Sequence, residues 1–388
     1  MKKRILFLSV LPPPYYGSAM SSLTCLEVLK QDENLEVFNI KTNFSKTFDD
    51  VGKISLTKIA GFFIILYKII LHAIKYKPDL VYMMPATAGF AFFRDFAYAF
   101  ILKHLKKNII YHLRTQITDE DRKNKLKNYI LKKAFKNSKV IVLGRDLKNN
   151  ILTYFHENDI FILPNAIGKT LSNEMYEKIE KERLSSPALR LVFISNMMKP
   201  KGWPVTIKTA NILNKMNFDF SLTFAGSWPS DKEKREFYNL VTKYKLNDKI
   251  SYAGYVDAEG KNSLLASSDI LVFPTEYKFE ALPRVIIEAY EYGLPVITTR
   301  NGSIPDMVIH NKTGFLLSRQ TAKEIAGHIT ALSDKQHMVN IGRESRKRFL
   351  KNYELSIFKR NFLNIIKHNF NHQDVSYNTD PVITFNKN

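Results

Sequence analysis

Apolar runs of strand length alternate with segments of helix length along nearly the whole chain. Five runs lie in the first half, and five more follow after residue 188. Strands that read as continuous apolar runs are buried on both faces, so the pattern predicts parallel strands covered by helices. The predicted fold is α/β, with two doubly wound, Rossmann-like domains. The ten predicted strands are 4–11, 79–85, 108–114, 139–144, 159–165, 189–196, 220–226, 250–256, 269–275 and 295–299.

The length of 388 residues also favours two domains, because one hydrophobic core seldom extends over so long a chain. The two strand series are separated by a polar stretch at 167–188. We therefore assign one domain to 1–170 and a second to 188–354, and we expect a deep cleft between their strand ends. Residues 371–388 are polar and unpatterned, which predicts a flexible tail.

The composition is that of an ordinary globular protein, with 45% hydrophobic and 24% charged residues, and it excludes a disordered chain. Cys25 is the only cysteine, so neither an internal disulfide nor a zinc–cysteine cluster can form. A single cysteine is typical of a reducing compartment, and no cleavable signal follows the first basic residues. We expect a cytoplasmic protein.

The formal net charge is +21, and the basic excess is larger in the first half of the chain. Residues 1–170 contain 27 Lys and Arg against 14 Asp and Glu. Such a field attracts nucleic acids, nucleotides and anionic membranes alike. A biased genome composition would also enrich Lys, Asn and Ile, so the charge alone does not choose among these explanations.

Two glutamates lie in one short segment of the second half. Glu280 follows the predicted strand 269–275, and Glu288 lies on a helix that Pro283 can begin and Gly293 can end. The first carboxylate should therefore face the crevice at the carboxyl ends of a parallel sheet. Together the two carboxylates can bind two parts of one polyol ligand, and two ordinary solvated glutamates are the alternative.

The residues around this pair carry a family resemblance. They are Glu280, Glu288, Ala289, Gly293, Pro295, Val296 and the turn from Gly302 to Asp306. This pattern resembles the family 4 retaining glycosyltransferases of the GT-B fold. The resemblance implies a nucleotide diphosphate sugar as donor and no metal or other cofactor, with Glu280 contacting the donor sugar and Glu288 the ribose. It also implies that the last helix, 355–370, crosses back to the first domain.

The chain departs from the family pattern just after the first glutamate. Many members have Gly-Phe-Gly there, whereas this chain has Ala281, Leu282 and Pro283. We expect Ala281 and Leu282 to contact the donor, while Pro283 lacks the N–H group that a third contact would need.

A loop after the first predicted strand leads into a helix that contains Gly17 and Ser18. The amino terminus of a helix exposes unpaired N–H groups and the positive end of the dipole, which suits a diphosphate. The family often has two glycines at this point. Gly17 would allow close approach of the phosphate, and Ser18 retains an amide contact; a glycine that only shapes the loop is the alternative.

The loop after the first strand of the second half corresponds to a family loop that presents an Arg and a Lys-Gly to the donor diphosphate. Lys201 and Gly202 match the Lys-Gly pair, and Asn196 occupies the Arg position. Asparagine donates a hydrogen bond but carries no charge, so Lys201 should provide most of the leaving-group stabilisation. Tyr255 follows Gly254 where the family binds the base, and we expect it to contact the donor; a half-buried surface tyrosine is the alternative.

His112 is the candidate catalytic residue of the first domain, because it ends the predicted strand 108–114. A histidine there can bind a sugar hydroxyl or transfer protons near neutral pH. If the family's acceptor-side residue corresponds instead to Arg114, His112 is a packed histidine.

Two apolar, lysine-bearing segments lie in the first domain, at 56–77 and 96–107. The longest uncharged stretch in the first, between Lys58 and Lys68, is far shorter than the roughly 20 residues that span a bilayer. A basic, apolar helix can lie on an anionic membrane. We expect peripheral attachment to the inner face of the cell membrane; buried helices with lysines at their rims are the alternative.

We interpret the chain as a retaining, metal-independent glycosyltransferase with a UDP-sugar as the expected donor. The expected acceptor is a saccharide or a lipid-linked sugar in the assembly of cell-surface polysaccharide or lipopolysaccharide. A GT-B-shaped nucleotide-sugar epimerase is the first alternative, since it would use the same cleft without an acceptor. A basic nucleic-acid-binding protein is a remote alternative, because no nucleic-acid-binding motif is visible in the sequence.

Overall fold

A computed structural model describes residues 2–13, 17–43 and 56–370. The chain divides into two compact units, and each is described by itself. The first unit comprises Met1–Asn165 together with Phe358–Asn388, and the second comprises Ala166–Ile357. The predicted tail, 371–388, lies outside the described residues.

The first unit is built on a parallel sheet, with strand order β2-β1-β3-β4-β5-β6 among its described residues. Chain direction across the sheet reverses between β1 and β3, so their carboxyl ends flank the topological switch point of this unit. The strands are β1 (Lys3–Ser9), β2 (Leu35–Lys41), β3 (Leu80–Met83), β4 (Ile109–His112), β5 (Lys139–Val142) and β6 (Ile160–Ile162).

Helices cover both faces of this sheet, because each parallel connection must cross from one strand end back to the other. Right-handed crossovers place the helix after β1 on one face and the helices after β2, β3 and β4 on the other. The helices are α1 (Gly17–Gln31), α2 (Leu56–Lys75), α3 (Gly89–His104), α4 (Asp119–Lys123), α5 (Lys125–Phe135) and α6 (Arg145–Ile151).

The second unit has a parallel sheet of order β12-β11-β10-β7-β8-β9. Its switch point lies between β7 and β10, which are adjacent although two strands and three α-helices lie between them along the chain. The strands are β7 (Leu189–Ile194), β8 (Phe220–Ala225), β9 (Ile250–Tyr252), β10 (Ile270–Phe273), β11 (Val296–Thr299) and β12 (Gly314–Leu317). The helices are α7 (Asn173–Ser185), α8 (Trp203–Lys215), α9 (Asp231–Lys243), α10 (Ala258–Ala266), α11 (Arg284–Glu291), α12 (Ile304–Met307), α13 (Ala322–Ala331) and α14 (Lys335–Asn352).

The last described helix, α15 (Leu355–His368), has its body in the first unit. Phe362 is fully buried and packs edge-on against Tyr82, with ring centroids 5.5 Å apart. Lys367 forms a 2.7 Å ion pair with Asp32, just beyond the end of α1. The helix therefore covers the face of the first sheet that α1 also covers.

The polar stretch that separates the two strand series contains α7, which folds as part of the second unit. Arg183 on this helix is buried and donates hydrogen bonds to the carbonyl oxygens of Ser268, Leu265 and Tyr292. Buried carbonyl oxygens need such partners, so Arg183 ties α7 to the loops that precede β10 and β11.

Each of the ten predicted strands corresponds to a strand of the structure, and β2 and β12 were not predicted. Both lie at the outer edge of their sheets. In β2 only Leu35 and Ile40 are buried, so its pattern lacks a continuous apolar run. Strand β12 begins with Gly314, a poor strand residue, and has only three apolar residues.

Candidate functional site

The switch point of the second unit brings together two loops that are distant in sequence. One follows β7 and contains Lys201 and Gly202; the other follows β10 and contains Glu280. The amide of Glu276 donates a 2.7 Å hydrogen bond to the carbonyl oxygen of Pro200, which fixes one loop on the other.

Gly202 permits this contact because its backbone has a φ of +100° and approaches the second loop closely. A Cβ atom at this position would lie 2.4 Å from the carbonyl oxygen of Pro274. The glycine is therefore needed for the packing of the two loops. It is also the residue directly before the start of α8.

Lys201 and Glu280 form an ion pair across the switch point. The Lys201 Nζ lies 2.5 Å from Glu280 Oε2, and each side chain is only slightly exposed. Thr275 Oγ1 donates a further hydrogen bond of 3.3 Å to the same carboxylate oxygen. One partly buried ammonium and one buried carboxylate thus face each other at the strand ends, where a polar ligand could separate them.

The Lys201 ammonium also contacts an aromatic ring. It lies 4.5 Å from the centroid of Tyr277 and 5.7 Å from that of Phe273, within the range of cation–π attraction. Burial, and secondarily the charge of Glu280, raises the pKa of the Tyr277 hydroxyl above its usual value. Tyr277 is therefore a neutral hydrogen-bond donor beside the ion pair at neutral pH.

A third loop, after β11, stabilises the turn that contains Glu280 by two hydrogen bonds to its backbone. Asn301 donates a 2.9 Å hydrogen bond to the carbonyl oxygen of Tyr277, and the amide of Ser303 donates one of 2.7 Å to that of Ala281. Gly302 has a φ of +54°, and a Cβ there would lie 2.3 Å from the carbonyl oxygen of Glu280. The Gly-x-Ile-Pro turn of the sequence pattern is thus a backbone support for the first glutamate.

Glu288 lies on α11 and forms a second lysine–glutamate pair. Its Oε1 lies 2.6 Å from the Nζ of Lys261 on α10, with both side chains partly buried. Each glutamate of the sequence pattern is therefore paired with a lysine.

The other predicted donor contacts of the second unit differ in exposure. Ala281 and Leu282 are buried in the turn, whereas Asn196 is exposed beyond the end of β7. Tyr255 is 75% exposed and follows Gly254, whose carbonyl oxygen accepts a 2.8 Å hydrogen bond from the amide of Gly226. Tyr255 and Asn196 are accessible to a ligand but make no close contact with Lys201 or Glu280 among the interactions described.

In the first unit, Gly17 is the first residue of α1 and lies after the carboxyl end of β1. The preceding part of the predicted phosphate loop, 14–16, lies outside the described residues. Ser18 is partly buried, and its carbonyl oxygen accepts a 2.9 Å hydrogen bond from Ser22 Oγ. Ser22 Oγ also lies 2.7 Å from Ser9 Oγ at the end of β1. Neutral hydroxyl groups therefore connect β1 to the first turns of α1.

His112 ends β4 and is fully buried. Its Nδ1 lies 2.5 Å from the hydroxyl of Tyr82, and its Nε2 lies 3.5 Å from the guanidinium of Arg114. Burial, and secondarily the Arg114 charge, holds the pKa of His112 well below its usual value. The imidazole is thus neutral at physiological pH. Arg114 is only partly buried and also bonds to Asn165, so of the two residues it is the more accessible.

In the second unit, sequence reasoning missed the polar side chains of Thr275, Tyr277 and Lys261, which contact predicted site residues. The first two carry a local signal, because they occupy the turn between β10 and Glu280. Lys261 carries none, since it lies 27 residues before its partner Glu288. Within the described ranges, no group of three or more His, Cys, Asp or Glu could hold a metal ion.

The second unit matches a known protein family. Residues 174–354 match the family model described as glycosyl transferases, group 1. These residues include both lysine–glutamate pairs and the three loops around the switch point. The family resemblance that the sequence pattern predicted is confirmed.

Relatives of the chain occur among bacterial proteins. It is 25% identical over 321 residues to an uncharacterized 41.2 kDa protein in the cps region of Klebsiella pneumoniae, covering 80% of this chain and 82% of that protein. It is 25% identical over 173 residues to the amylovoran biosynthesis glycosyltransferase of Erwinia amylovora, covering 44% and 42%. The chain spans less than half the length of several curated relatives that it matches.

Solved structures share the fold of nearly the whole chain. Sucrose-phosphate synthase from Thermosynechococcus elongatus has a TM-score of 0.74 at 16% identity, covering 95% of this chain and 99% of that one. The Anabaena protein HepE, solved with UDP, has a TM-score of 0.69 at 17% identity, covering 95% and 100%. Both are GT-B structures, so the predicted GT-B fold is confirmed.

Proposed function

We propose, on the premise that the second unit of this chain belongs to the group 1 glycosyl transferases, that the protein transfers a sugar from a nucleotide diphosphate sugar to an acceptor hydroxyl. The observation that carries the proposal is the Lys201–Glu280 pair at the switch point of the second sheet. Ligands of open α/β sheets bind at such a point, and the pair offers a cation for phosphate and a carboxylate for sugar hydroxyls.

A UDP-sugar is the proposed donor. The related Anabaena structure was solved in complex with UDP and in complex with UDP-glucose, which supports a uridine nucleotide and a hexose. We assign the diphosphate to Lys201 and to the amino terminus of α8, which begins directly after Gly202. Glu288 on α11 would then bind the ribose, and exposed Tyr255 would contact the base.

In the proposed reaction the Lys201 ammonium exchanges its carboxylate partner for the donor diphosphate. The bond between the anomeric carbon and the diphosphate oxygen breaks, and the acceptor oxygen forms a bond to the same carbon. The acceptor proton passes to the departing diphosphate, whose new charge Lys201 stabilises. Attack from the face that the diphosphate leaves retains the anomeric configuration, and no metal ion takes part.

Glu280 acts in this scheme as a hydrogen-bond acceptor for the donor sugar. Thr275 bonds to its carboxylate, and Asn301 and Ser303 bond to the backbone of its turn. A carboxylate held in this way keeps its geometry when the lysine turns toward phosphate, so it can position the anomeric carbon. Gly17 and Ser18 of the first unit are proposed as further phosphate contacts, at the amino terminus of α1.

The acceptor side belongs to the first unit in this proposal. His112 is buried and neutral, so its role would be to hold Tyr82 and Arg114 in place, and the partly exposed Arg114 would meet the acceptor. Two relatives are a protein in a cps region and an amylovoran biosynthesis glycosyltransferase. The second name supports a role in polysaccharide biosynthesis. We propose a saccharide or lipid-linked acceptor in surface-polysaccharide assembly, at the cytoplasmic face of the membrane.

Incubation with a panel of nucleotide sugars tests the proposal. We expect one UDP-sugar to raise the unfolding temperature and to release UDP only when an acceptor saccharide is added. Conversion of the donor to its epimer without release of nucleotide would indicate an epimerase. Absence of stabilisation by every nucleotide sugar would contradict the proposal.

A further inference from the structure

The outer helices of the first unit expose far more apolar surface than the rest of the chain. Among the described residues, eighteen large apolar side chains are exposed, and eleven of them lie on α2, α3 and α5. Soluble monomers seldom expose large contiguous apolar patches, and those that do commonly use them for binding. The eleven side chains are Ile59, Phe63, Ile64, Tyr67, Leu71, Ile74, Phe90, Phe93, Phe100, Leu126 and Tyr129.

Helix α2 is apolar on two opposite faces. Ile65, Ile69 and Ala73 are buried against the sheet, as the four-residue spacing predicts. The opposite face presents Phe63, which is 60% exposed, and Tyr67, which is 66% exposed, again four residues apart. A helix that only covers a sheet would carry polar residues on this outer face, so its apolar character needs another explanation.

The three helices form one continuous layer. Phe62 of α2 stacks on Tyr98 of α3, with ring centroids 5.2 Å apart. Phe96 of α3 packs on Phe135 of α5, with ring centroids 5.5 Å apart. Their crossovers follow β2, β3 and β4 in one direction across the sheet, so all three lie on the same face of it.

The charge on this layer has one sign. Helices α2 and α5 contain no acidic residue, whereas Lys68, Lys75, Lys132 and Lys133 are exposed on them. The acidic residue of α3, Asp95, is buried in an ion pair of 2.7 Å with Arg94. Exposed aromatic and aliphatic side chains with only cations among them fit an anionic lipid surface, in which rings enter the headgroup region and lysines bind phosphates.

We infer that α2, α3 and α5 together form a docking face for an anionic membrane. The face lies within the first unit and is separate from the lysine–glutamate pairs of the second. It deepens the proposed function by locating the membrane contact, and it extends the sequence-based expectation to α5, which had not been predicted to take part. No helix in the described parts of the chain is long and apolar enough to span a bilayer, so docking would be peripheral.

Vesicle sedimentation of the full chain tests the docking face. We expect binding to vesicles of phosphatidylcholine with phosphatidylglycerol, weaker binding to phosphatidylcholine alone, and release as salt rises, because the Debye length shortens to about 8 Å at physiological ionic strength. Lys132→Gln with Lys133→Gln should weaken partitioning about tenfold to thirtyfold, and Phe63→Ser with Tyr67→Ser should weaken it at least as much.

Matched substitutions on the second unit provide the controls. Lys232→Gln with Lys234→Gln on α9, and Tyr238→Ser with Met216→Ser, change exposed residues of the same kinds and should leave partitioning unchanged. Unfolding temperatures of all variants should match that of the parent, because every changed side chain is exposed.

Several outcomes would overturn the inference. One is equal recovery from anionic and neutral vesicles, and another is equal loss in the test and control variants. A third is a dimer, seen by light scattering, that Phe63→Ser with Tyr67→Ser converts to monomers, because the face would then bind a second copy. Vesicle binding needs no donor. If the protein released nucleotide but did not bind vesicles, only the docking face would be contradicted. Loss of nucleotide release with vesicle binding intact removes only the proposed function.

Discussion

At the carboxyl ends of its strands the second unit pairs lysine with glutamate, whereas the first unit buries serine, tyrosine and histidine there. Lys201 and Glu280 meet at the switch point between β7 and β10. At the corresponding point of the first unit, Ser9 contacts Ser22, and nearby His112 contacts Tyr82. Two sheets of the same architecture thus present opposite chemistry at the edge where ligands bind.

The exposed side chains of the outer helices also differ between the two units. Those of the first unit expose aromatic rings and lysines, while α9 of the second unit mixes acidic and basic residues along its surface. A parallel sheet fixes where side chains meet but not which ones, so the fold alone does not assign function. This difference is the basis for the two proposals, that the second unit binds the donor diphosphate and that the first unit docks on a membrane.

The largest expected effect is that of Lys201→Ala on turnover. Loss of one group that stabilises developing charge typically lowers kcat by about 10² to 10³. Steady-state release of nucleotide would measure it, and Lys199→Ala is the matched control, because this exposed lysine lies two residues away and pairs with Glu236. Equal loss of activity in both variants would contradict the assignment of leaving-group stabilisation to Lys201.

Glu280→Gln should lower turnover by about 10-fold to 100-fold. The amide keeps the shape but loses a charged hydrogen bond worth roughly 1.5 to 3 kcal/mol. Glu276→Gln, an exposed glutamate in the same loop, should be nearly silent. Activity of Glu280→Gln within about threefold of the parent, in single-turnover assays with saturating donor, would remove Glu280 from the reaction.

The buried histidine of the first unit should make stability depend on pH. Its pKa is lowered in the folded protein, so below the ordinary value of about 6.5 the unfolded chain binds a proton that the folded chain does not. The free energy of unfolding should therefore fall by up to about 1.4 kcal/mol per pH unit as pH decreases through that range.

Urea unfolding of the parent and of His112→Gln at several pH values would measure this contribution. Glutamine can still bond to Tyr82 but does not titrate, so the variant should show the smaller slope below about pH 6.5. Identical slopes would mean that His112 is accessible and titrates normally. The first unit would then not bury this strand-end side chain.

The smallest expected effect is that of metal removal. If Lys201 is the cation that stabilises the leaving group, EDTA should leave the rate of transfer unchanged. A rate that returns only with Mg²⁺ or Mn²⁺ would show that the second unit needs a second cation.

The sequence predicted the central strands of both sheets, because their apolar runs are buried on both faces. It did not predict β2, which is only partly buried, or β12, which begins with a glycine and has only three apolar residues. Tertiary neighbours decide such strands, and a local pattern does not contain those neighbours.

The sequence predicted residues of the candidate site but not which of them pair. Glu280 and Lys201 could be assigned to strand ends, but their pairing joins residues 79 positions apart and depends on the strand order. The burial of His112 likewise results from packing around Tyr82, which Phe362 of α15 contacts from the far end of the chain. Residue type and spacing therefore located the groups, and topology determined their partners.

Calorimetric titration of the parent and of Lys201→Ala with UDP and with uridine tests the central claim most directly. If the ammonium leaves Glu280 for the diphosphate, UDP should bind the variant at least about tenfold more weakly, because a charged hydrogen bond is lost. Uridine, which has no phosphate, should bind both proteins equally. Unchanged UDP affinity, or an equal loss for UDP and uridine, would contradict the assignment of the diphosphate to Lys201.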